Sequence, residues 1–304
     1  MFIVNPDSFL LPTYRMSPFT TASIAENYQL PNNEFASDYF DERFGIENWK
    51  FTTNGRHAIE EALKNYNLSS SDIITILTTS QNFYISSCVT KTIEKFCKWN
   101  REITSATKVI LVNHEFGYPY QNMEKVVQLG IPIIEDCCTT FFSQNNQQMI
   151  GHYGDFSVYS FPKMFPIQVG GILVSNKSNL NASELIESNL KKYLLKVTSH
   201  HLKNKEELLK KRHENYNYAI SKFRILGFEP YFQTYEFTVP YALVLKNNQI
   251  INDLNILKNF LNENGIQNSV FYGEDAFFVP NHQNLSFTDI DLLEQTVAQF
   301  IQNQ

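Results

Sequence analysis

The sequence predicts an α/β fold: a mainly parallel sheet covered by helices on both faces, then a smaller α+β region. Three observations carry this. Short apolar runs at 72–79 (DIITILTT), 108–113 (KVILVN) and 131–136 (IPIIED) read as strands buried on both faces. Stretches with helical spacing lie between them, and the connections are short, as a layered α/β sheet requires.

The elements follow in order. After an irregular start, Thr53-Asn54-Gly55-Arg56 forms a glycine turn feeding a helix over 57–66, in which Ala58, Ile59, Ala62 and Leu63 recur at helical spacing. The strand 72–79 leads to a helical stretch through 88–96, then to the strand 108–113. A helix at 123–130 is closed by Gly130, and the strand 131–136 ends in two carboxylates. Two further β-rich runs are 156–161 (FSVYSF) and 170–176 (GGILVSN). From 183 to 223 the chain is helical and charged, and reads as a long helix leaving the large domain. Downstream come strand-like 241–246, a helix over 253–265, strand-like 267–272 and a final helix over 288–302. The expected domains are therefore 1–182, the large α/β domain with its N-terminal segment, and 183–304, the linking helix with a small α+β domain.

Bulk properties narrow the function classes. At 304 residues, 43% hydrophobic and 18% charged, the chain buries a core without disulfide or metal staples. A formal charge of −6 gives no long-range attraction for nucleic acid or an anionic membrane, so neither is expected as a partner. No secretory leader pattern and no apolar run of about 18 residues is visible, and a cytoplasmic location is expected. Cys88, Cys97, Cys137 and Cys138 lack metal-finger or disulfide spacing and read as buried free thiols.

Ligands of open α/β sheets bind beyond the carboxyl ends of the strands. Four such places carry reactive types. Asn54-Gly55-Arg56-His57 opens a helix whose first N–H groups can cradle a phosphate, although many glycine turns start helices and bind nothing. Glu135-Asp136 ends an apolar strand; a buried carboxylate needs a cationic partner, which a protonated pyridine nitrogen or an ordinary salt bridge would supply. Ser160-Phe161-Pro162-Lys163 sets a lysine in apolar surroundings that favour a Schiff-base amine, with Ser160 placed for a phosphate; an isolated lysine is otherwise a solvated charge. Asn82-Phe83-Tyr84 puts an aromatic where it could stack on a flat heterocycle or simply pack in the core. His114 reads as a structural hydrogen-bonding group, and the helical His200-His201 face different ways and do not suggest a metal site.

With these residues in hand, the segments 108–138, 151–163 (GHYGDFSVYSFPK) and 170–176 resemble the His-x-Tyr-Gly, Glu-Asp-Ala-Ala-Gln and Gly-Asp-x-x-x-Phe-Ser-Phe blocks of the DegT/DnrJ/EryC1/StrS sugar-nucleotide aminotransferases, fold-type-I enzymes dependent on pyridoxal 5′-phosphate. The stretches 260–273 and 279–297 resemble the small domain of that family, so the likeness runs from about Trp49 to the C-terminus and implies a complete chain. It implies a three-layer transferase fold in which Lys163 forms the internal aldimine and Asp136 pairs with the pyridine nitrogen. Phe83 would stack on the ring, while Ser160, Gly55 and Arg56 hold the phosphate. It further implies a homodimer that moves an amino group from an amino acid such as glutamate to a keto sugar or sugar nucleotide.

The departures from the pattern are specific. Arg56 stands where the family usually has Thr, and Thr139 replaces the glutamine expected near the cofactor's phenolic oxygen, a shorter donor. Ser160 and Lys163 are closer together than usual. The long segment with an Asn-x-Arg motif after Gly171 is absent or much shortened. These leave a second reading, a cofactor-binding relative with little catalysis or acting on another small keto substrate, and a third, an unrelated α/β binding domain.

Overall fold

The computed structural model describes residues 13–145, 148–177, 179–180 and 183–303. They form two compact units, one of residues 19–205 and one that joins 13–18 to the C-terminal part from Glu206. The expected division after residue 182 is thus displaced at both ends. The expected single linking helix is two helices, Ser188–Lys203 and Lys205–Ile225, separated at Asn204.

In the larger unit, α1 (Ala22–Gln29) and α2 (Phe35–Phe44) precede β1 (Trp49–Thr52) and α3 (Gly55–Leu63). Then come β2 (Ile73–Thr78), α4 (Ser87–Ile93), β3 (Lys98–Asn100), β4 (Thr107–Asn113), α5 (Met123–Val127) and β5 (Ile133–Asp136). A small hairpin, β6 (Gln144–Asn145) and β7 (Gln148–Met149), leads to β8 (Phe156–Ser160), a 3-10 turn (Phe161–Lys163), β9 (Gly171–Ser175) and α6 (Ser188–Lys203). The seven-stranded sheet runs β1-β9-β8-β5-β4-β2-β3. Only β9 opposes the others, pairing antiparallel with both β1 and β8, so the mainly parallel sheet read from the sequence is present.

Local chemistry explains these elements. In α3 the buried face Ala58, Ile59, Ala62 and Leu63 packs on the strands, and the Asn54 side chain accepts the His57 N–H to start the helix. In α2, Ala36, Phe40 and Phe44 recur every four residues and are buried. The Phe40 ring meets Trp49, Phe51 and Phe161, an anchor whose truncation would cost about 3–5 kcal/mol. α6 belongs to this unit because it packs on α2: the Ser199 hydroxyl accepts the Ala36 N–H at 2.8 Å and donates to the Asn33 carbonyl.

The smaller unit holds α7 (Lys205–Ile225), whose first residue is the last of the larger unit, and the antiparallel sheet β10 (Glu229–Pro230), β11 (Ala242–Lys246), β13 (Ala276–Pro280) and β12 (Ser269–Val270), in that spatial order. α8 (Leu254–Glu263) and α9 (Phe287–Gln302) complete it, the latter started by a capping box between Ser286 and Asp289. Residues 13–18 join this unit through backbone pairing of Tyr14 with Gly265 and Gln267, and through the Asn284 amide donating to the Pro18 carbonyl. No helix among the described residues is long and apolar enough to cross a membrane.

Candidate active site

Sheet order decides what meets at the carboxyl edge. Because β8 lies between β9 and β5, with β1 on the far side of β9, the ends of β1, β8 and β5 open toward one place. Gly171 is paired with both Thr52 and Ser160, and a Cβ on it would fall 2.4 Å from the Tyr159 carbonyl oxygen. Gly170, at φ +101°, donates to the Thr53 carbonyl at 2.6 Å and accepts from the Phe161 N–H at 3.0 Å. This glycine pair ties the turn before α3 to the turn that carries Lys163.

Gly55 shows how close the three segments come. A Cβ there would lie 2.6 Å from the Cys138 sulfur and 3.3 Å from the Ser160 Cβ. The first turn of α3, the residue two beyond Asp136 and the end of β8 therefore touch. Asn54 caps the helix through the His57 N–H at 3.0 Å, so the Gly55 and Arg56 amides, at the helix start, lack an acceptor within the helix.

Asp136 is the last residue of β5 and is buried. Its carboxylate accepts the Cys138 N–H at 3.0 Å, while the Cys138 thiol donates to the Val158 carbonyl at 4.0 Å. Burial pushes that thiol well above its ordinary range and the Asp136 charge adds to it, while the positive charge of Lys163 acts the other way. Lys163 is half-buried on the 3-10 turn, which is anchored by fully buried Phe161 and Phe165. Lysine, thiol and carboxylate thus form one electrostatic neighbourhood.

Glu135 has a different role. Strand alternation turns it away from Asp136, into a site with no solvent exposure. Its oxygens accept the Tyr153 and Gly154 N–H groups, both at 2.7 Å, and face His114 Nε2 at 3.1 Å. Burial acts to raise its pKa, but His114 and those two amides outweigh it, and the carboxyl is held below the usual range. His114 Nδ1 accepts the Tyr120 N–H at 3.0 Å, which places the ring proton on Nε2, toward Glu135. His114, Glu135 and Cys137 have the spacing of a metal-ligand group. His114 and Glu135 are already committed to each other and to backbone amides, and burial drives the Cys137 thiol up, so the cluster is a brace.

Several expected residues stand elsewhere. Phe83 is 68% exposed, its ring 6.4 Å from Trp99 on the edge strand β3 and 5.9 Å from the Arg101 guanidinium. With β4 and β2 between β5 and β3, that side chain lies toward the sheet edge rather than the pocket at β5; the neighbouring Tyr84 is the half-buried member of the pair. The Thr139 hydroxyl donates to the His114 carbonyl at 2.7 Å and accepts the Gly117 N–H at 3.4 Å, so it braces the loop after β4. Arg56 is exposed and lines a cleft toward α4. Of the four free thiols, Cys88 is exposed and Cys138 half-buried, whereas all four were expected to be buried. Cys138 itself went unread as a site residue; its position two residues after Asp136 was the available signal.

Comparisons with known proteins bear on the fold and the family. The DegT/DnrJ/EryC1/StrS aminotransferase family profile matches residues 95–290. The GDP-perosamine synthase of Escherichia coli O157:H7 is 35% identical over 86 residues, a stretch covering 26% of this chain and 23% of that relative. Among solved structures, the aminotransferase TlmJ from Streptoalloteichus hindustanus superposes with a TM-score of 0.74 at 14% identity, covering 94% of this chain and 98% of that one. The Escherichia coli GDP-4-keto-6-deoxy-D-mannose-3-dehydratase with bound hydrated PLP gives 0.66 at 17% identity, covering 94% and 100%. At such identities the structures speak for the fold, and the profile match, over more than half of the sequence, speaks for descent. This chain belongs to the DegT/DnrJ/EryC1/StrS aminotransferase family.

Proposed function

We propose that the chain binds pyridoxal 5′-phosphate at the edge formed by Gly55, Asp136, Ser160 and Lys163, and transfers an amino group from an amino acid such as glutamate to a keto sugar, free or nucleotide-linked. The observation that carries the reading is the contact of Gly55 with Cys138 and Ser160, which gathers an anion cradle, a carboxylate and a lysine from three separate elements.

The donor set fits the group. The first-turn amides at Gly55 and Arg56 and the Ser160 hydroxyl suit a phosphate. Asp136, buried with one backbone donor on its carboxylate, suits a protonated ring nitrogen. Lys163, half-buried near a thiol and a carboxylate, suits covalent attachment of an aldehyde. When bound, the cofactor supplies an electron sink for the carbon that loses its proton. The protein's part would be to hold the phosphate at Gly55, Arg56 and Ser160 and the ring nitrogen at Asp136, and to hold and move a proton at Lys163 Nζ. Retention of the lysine favours transamination over dehydration. The coarser statement, a sugar aminotransferase or related enzyme, draws support from the names of the GDP-perosamine synthase and the PLP-bound dehydratase.

A second reading is cofactor binding with little turnover. Two observations favour it: the Thr139 hydroxyl is already engaged by backbone, and only residues 176–187 separate β9 from α6. A single-turnover experiment separates the readings. Glutamate added to cofactor-loaded protein should release one 2-oxoglutarate per site as the aldehyde absorbance disappears. Bound cofactor that ignores glutamate supports the second reading, and failure to bind cofactor contradicts both.

A further inference from the structure

Arg56, the departure from the family pattern, has no part in the cradle described above except through its amide. Its side chain is exposed and, with residues of α4, lines a cleft of about 440 Å³. Lys91 and Lys95 face it from the other side, with the Ser87 hydroxyl and the exposed Cys88 thiol at its rim. Lys95 is neutralised by Glu60 at 2.7 Å, and that contact, before any other, lowers the Glu60 pKa. Arg56 and Lys91 have no acidic partner among the described residues, so the cleft is cationic on a chain whose formal charge is −6. Such a cleft attracts anions locally, against the overall charge.

We propose that the cleft between α3 and α4 is a diphosphate-binding site, separate from the cradle at Gly55 and Ser160. Two cations on different helices, with a hydroxyl donor beside them, match a ligand carrying charge on two linked phosphates better than a single carboxylate, which one guanidinium would satisfy. The cleft, lined also by Asn54 and His57, abuts the cradle but faces another way: Gly55 is packed against Cys138 and Ser160, while the next side chain, Arg56, stands exposed in the cleft. Free pyrophosphate and the diphosphate of a nucleotide share this chemistry. The site stands whether or not the cofactor reading holds.

Calorimetric titration with inorganic pyrophosphate, without and with saturating pyridoxal 5′-phosphate, tests it. One saturable site is expected in both cases, weakened at least tenfold in Arg56→Ala/Lys91→Ala and unchanged in Lys64→Ala, whose lysine pairs with Glu61 on the same helix. Cys88 gives a second readout. Pyrophosphate should slow its reaction with the anionic reagent 5,5′-dithiobis(2-nitrobenzoate), and the double variant should lose that protection while circular dichroism stays unchanged. Guanosine or uridine diphosphate binding more tightly than pyrophosphate identifies a nucleotide as the source, equal affinity identifies the bare diphosphate, and both uphold the site. Absence of saturable binding, unaltered affinity in the double variant, or orthophosphate binding as tightly as pyrophosphate overturns it. So does one-for-one displacement by the cofactor, because the two would then share the Gly55 cradle.

Discussion

The two faces of the β5 end hold neighbouring carboxylates with opposite surroundings. Glu135 is enclosed by three N–H donors, two from backbone and one from His114, and is fully shielded from solvent. Asp136 accepts the backbone N–H of Cys138 and stands beside the glycine turn and the lysine turn. A carboxylate saturated by its own chain holds the fold together; one with acceptor capacity left over can take a ligand. The smaller unit repeats the saturated case. There Arg212, wholly buried, donates to the Gln283 side chain at 3.2 and 2.8 Å, and His282 is bonded to the Arg15 carbonyl and the Asn284 amide.

The sharpest way to break this comparison is to neutralise each carboxylate in turn. Asp136→Asn should lower turnover by about a hundredfold or more, the scale of losing one preorganised charge stabiliser, with little change in unfolding midpoint. Glu135→Gln should cost about 3–5 kcal/mol of stability by breaking a buried pair, yet leave turnover per folded molecule nearly intact. Urea unfolding and steady-state rates on both variants decide it; the comparison fails if the two losses are exchanged.

Acid should act next, through two buried histidines. Burial, and after it Arg212, press His282 down to about 3, and burial presses His201 to about 4. Both are neutral when folded and bind protons more readily when unfolded. Their stabilisation is complete above the ordinary value near 6.5 and is lost as pH falls toward the folded values. For His282 the loss at pH 5 is about 2 kcal/mol. His282→Gln should flatten part of the decline in melting temperature between pH 7 and 5; an unchanged slope would remove His282 from the account.

Gly55→Ala should destabilise by about 1–3 kcal/mol and weaken cofactor binding, since the new methyl meets the Cys138 sulfur. Adding Cys138→Ala should restore most of the stability, a coupling that only direct contact produces. Phe83→Ala should have the smallest effect, under about twofold on cofactor affinity, because the ring sits at the solvent-exposed edge with Trp99.

The same comparison explains what was legible in the sequence. Strands buried on both faces, such as Ile73–Thr78 and Thr107–Asn113, are uninterrupted apolar runs and stood out. The edge strand Lys98–Asn100 is short and partly exposed, and left no such trace. α2 lay inside the stretch read as irregular although Ala36, Phe40 and Phe44 carry a four-residue period. That β9 runs against its neighbours was hidden, because an apolar pattern has no direction. At the site, the residue types and chain order of Gly55, Asp136, Ser160 and Lys163 were readable, but side-chain aim was not. Phe83 and Tyr84 are adjacent aromatics and only packing tells them apart, and a threonine such as Thr139 can turn its hydroxyl to backbone as readily as to a ligand.

The central claim is that Lys163 is the amine that holds the cofactor. Incubation with pyridoxal 5′-phosphate, reduction with borohydride and peptide mapping tests it most directly. The account predicts one pyridoxyl group per chain, on the peptide containing Lys163, and none there in Lys163→Ala. Labelling spread over surface lysines, or stoichiometric labelling of a different residue, would contradict it.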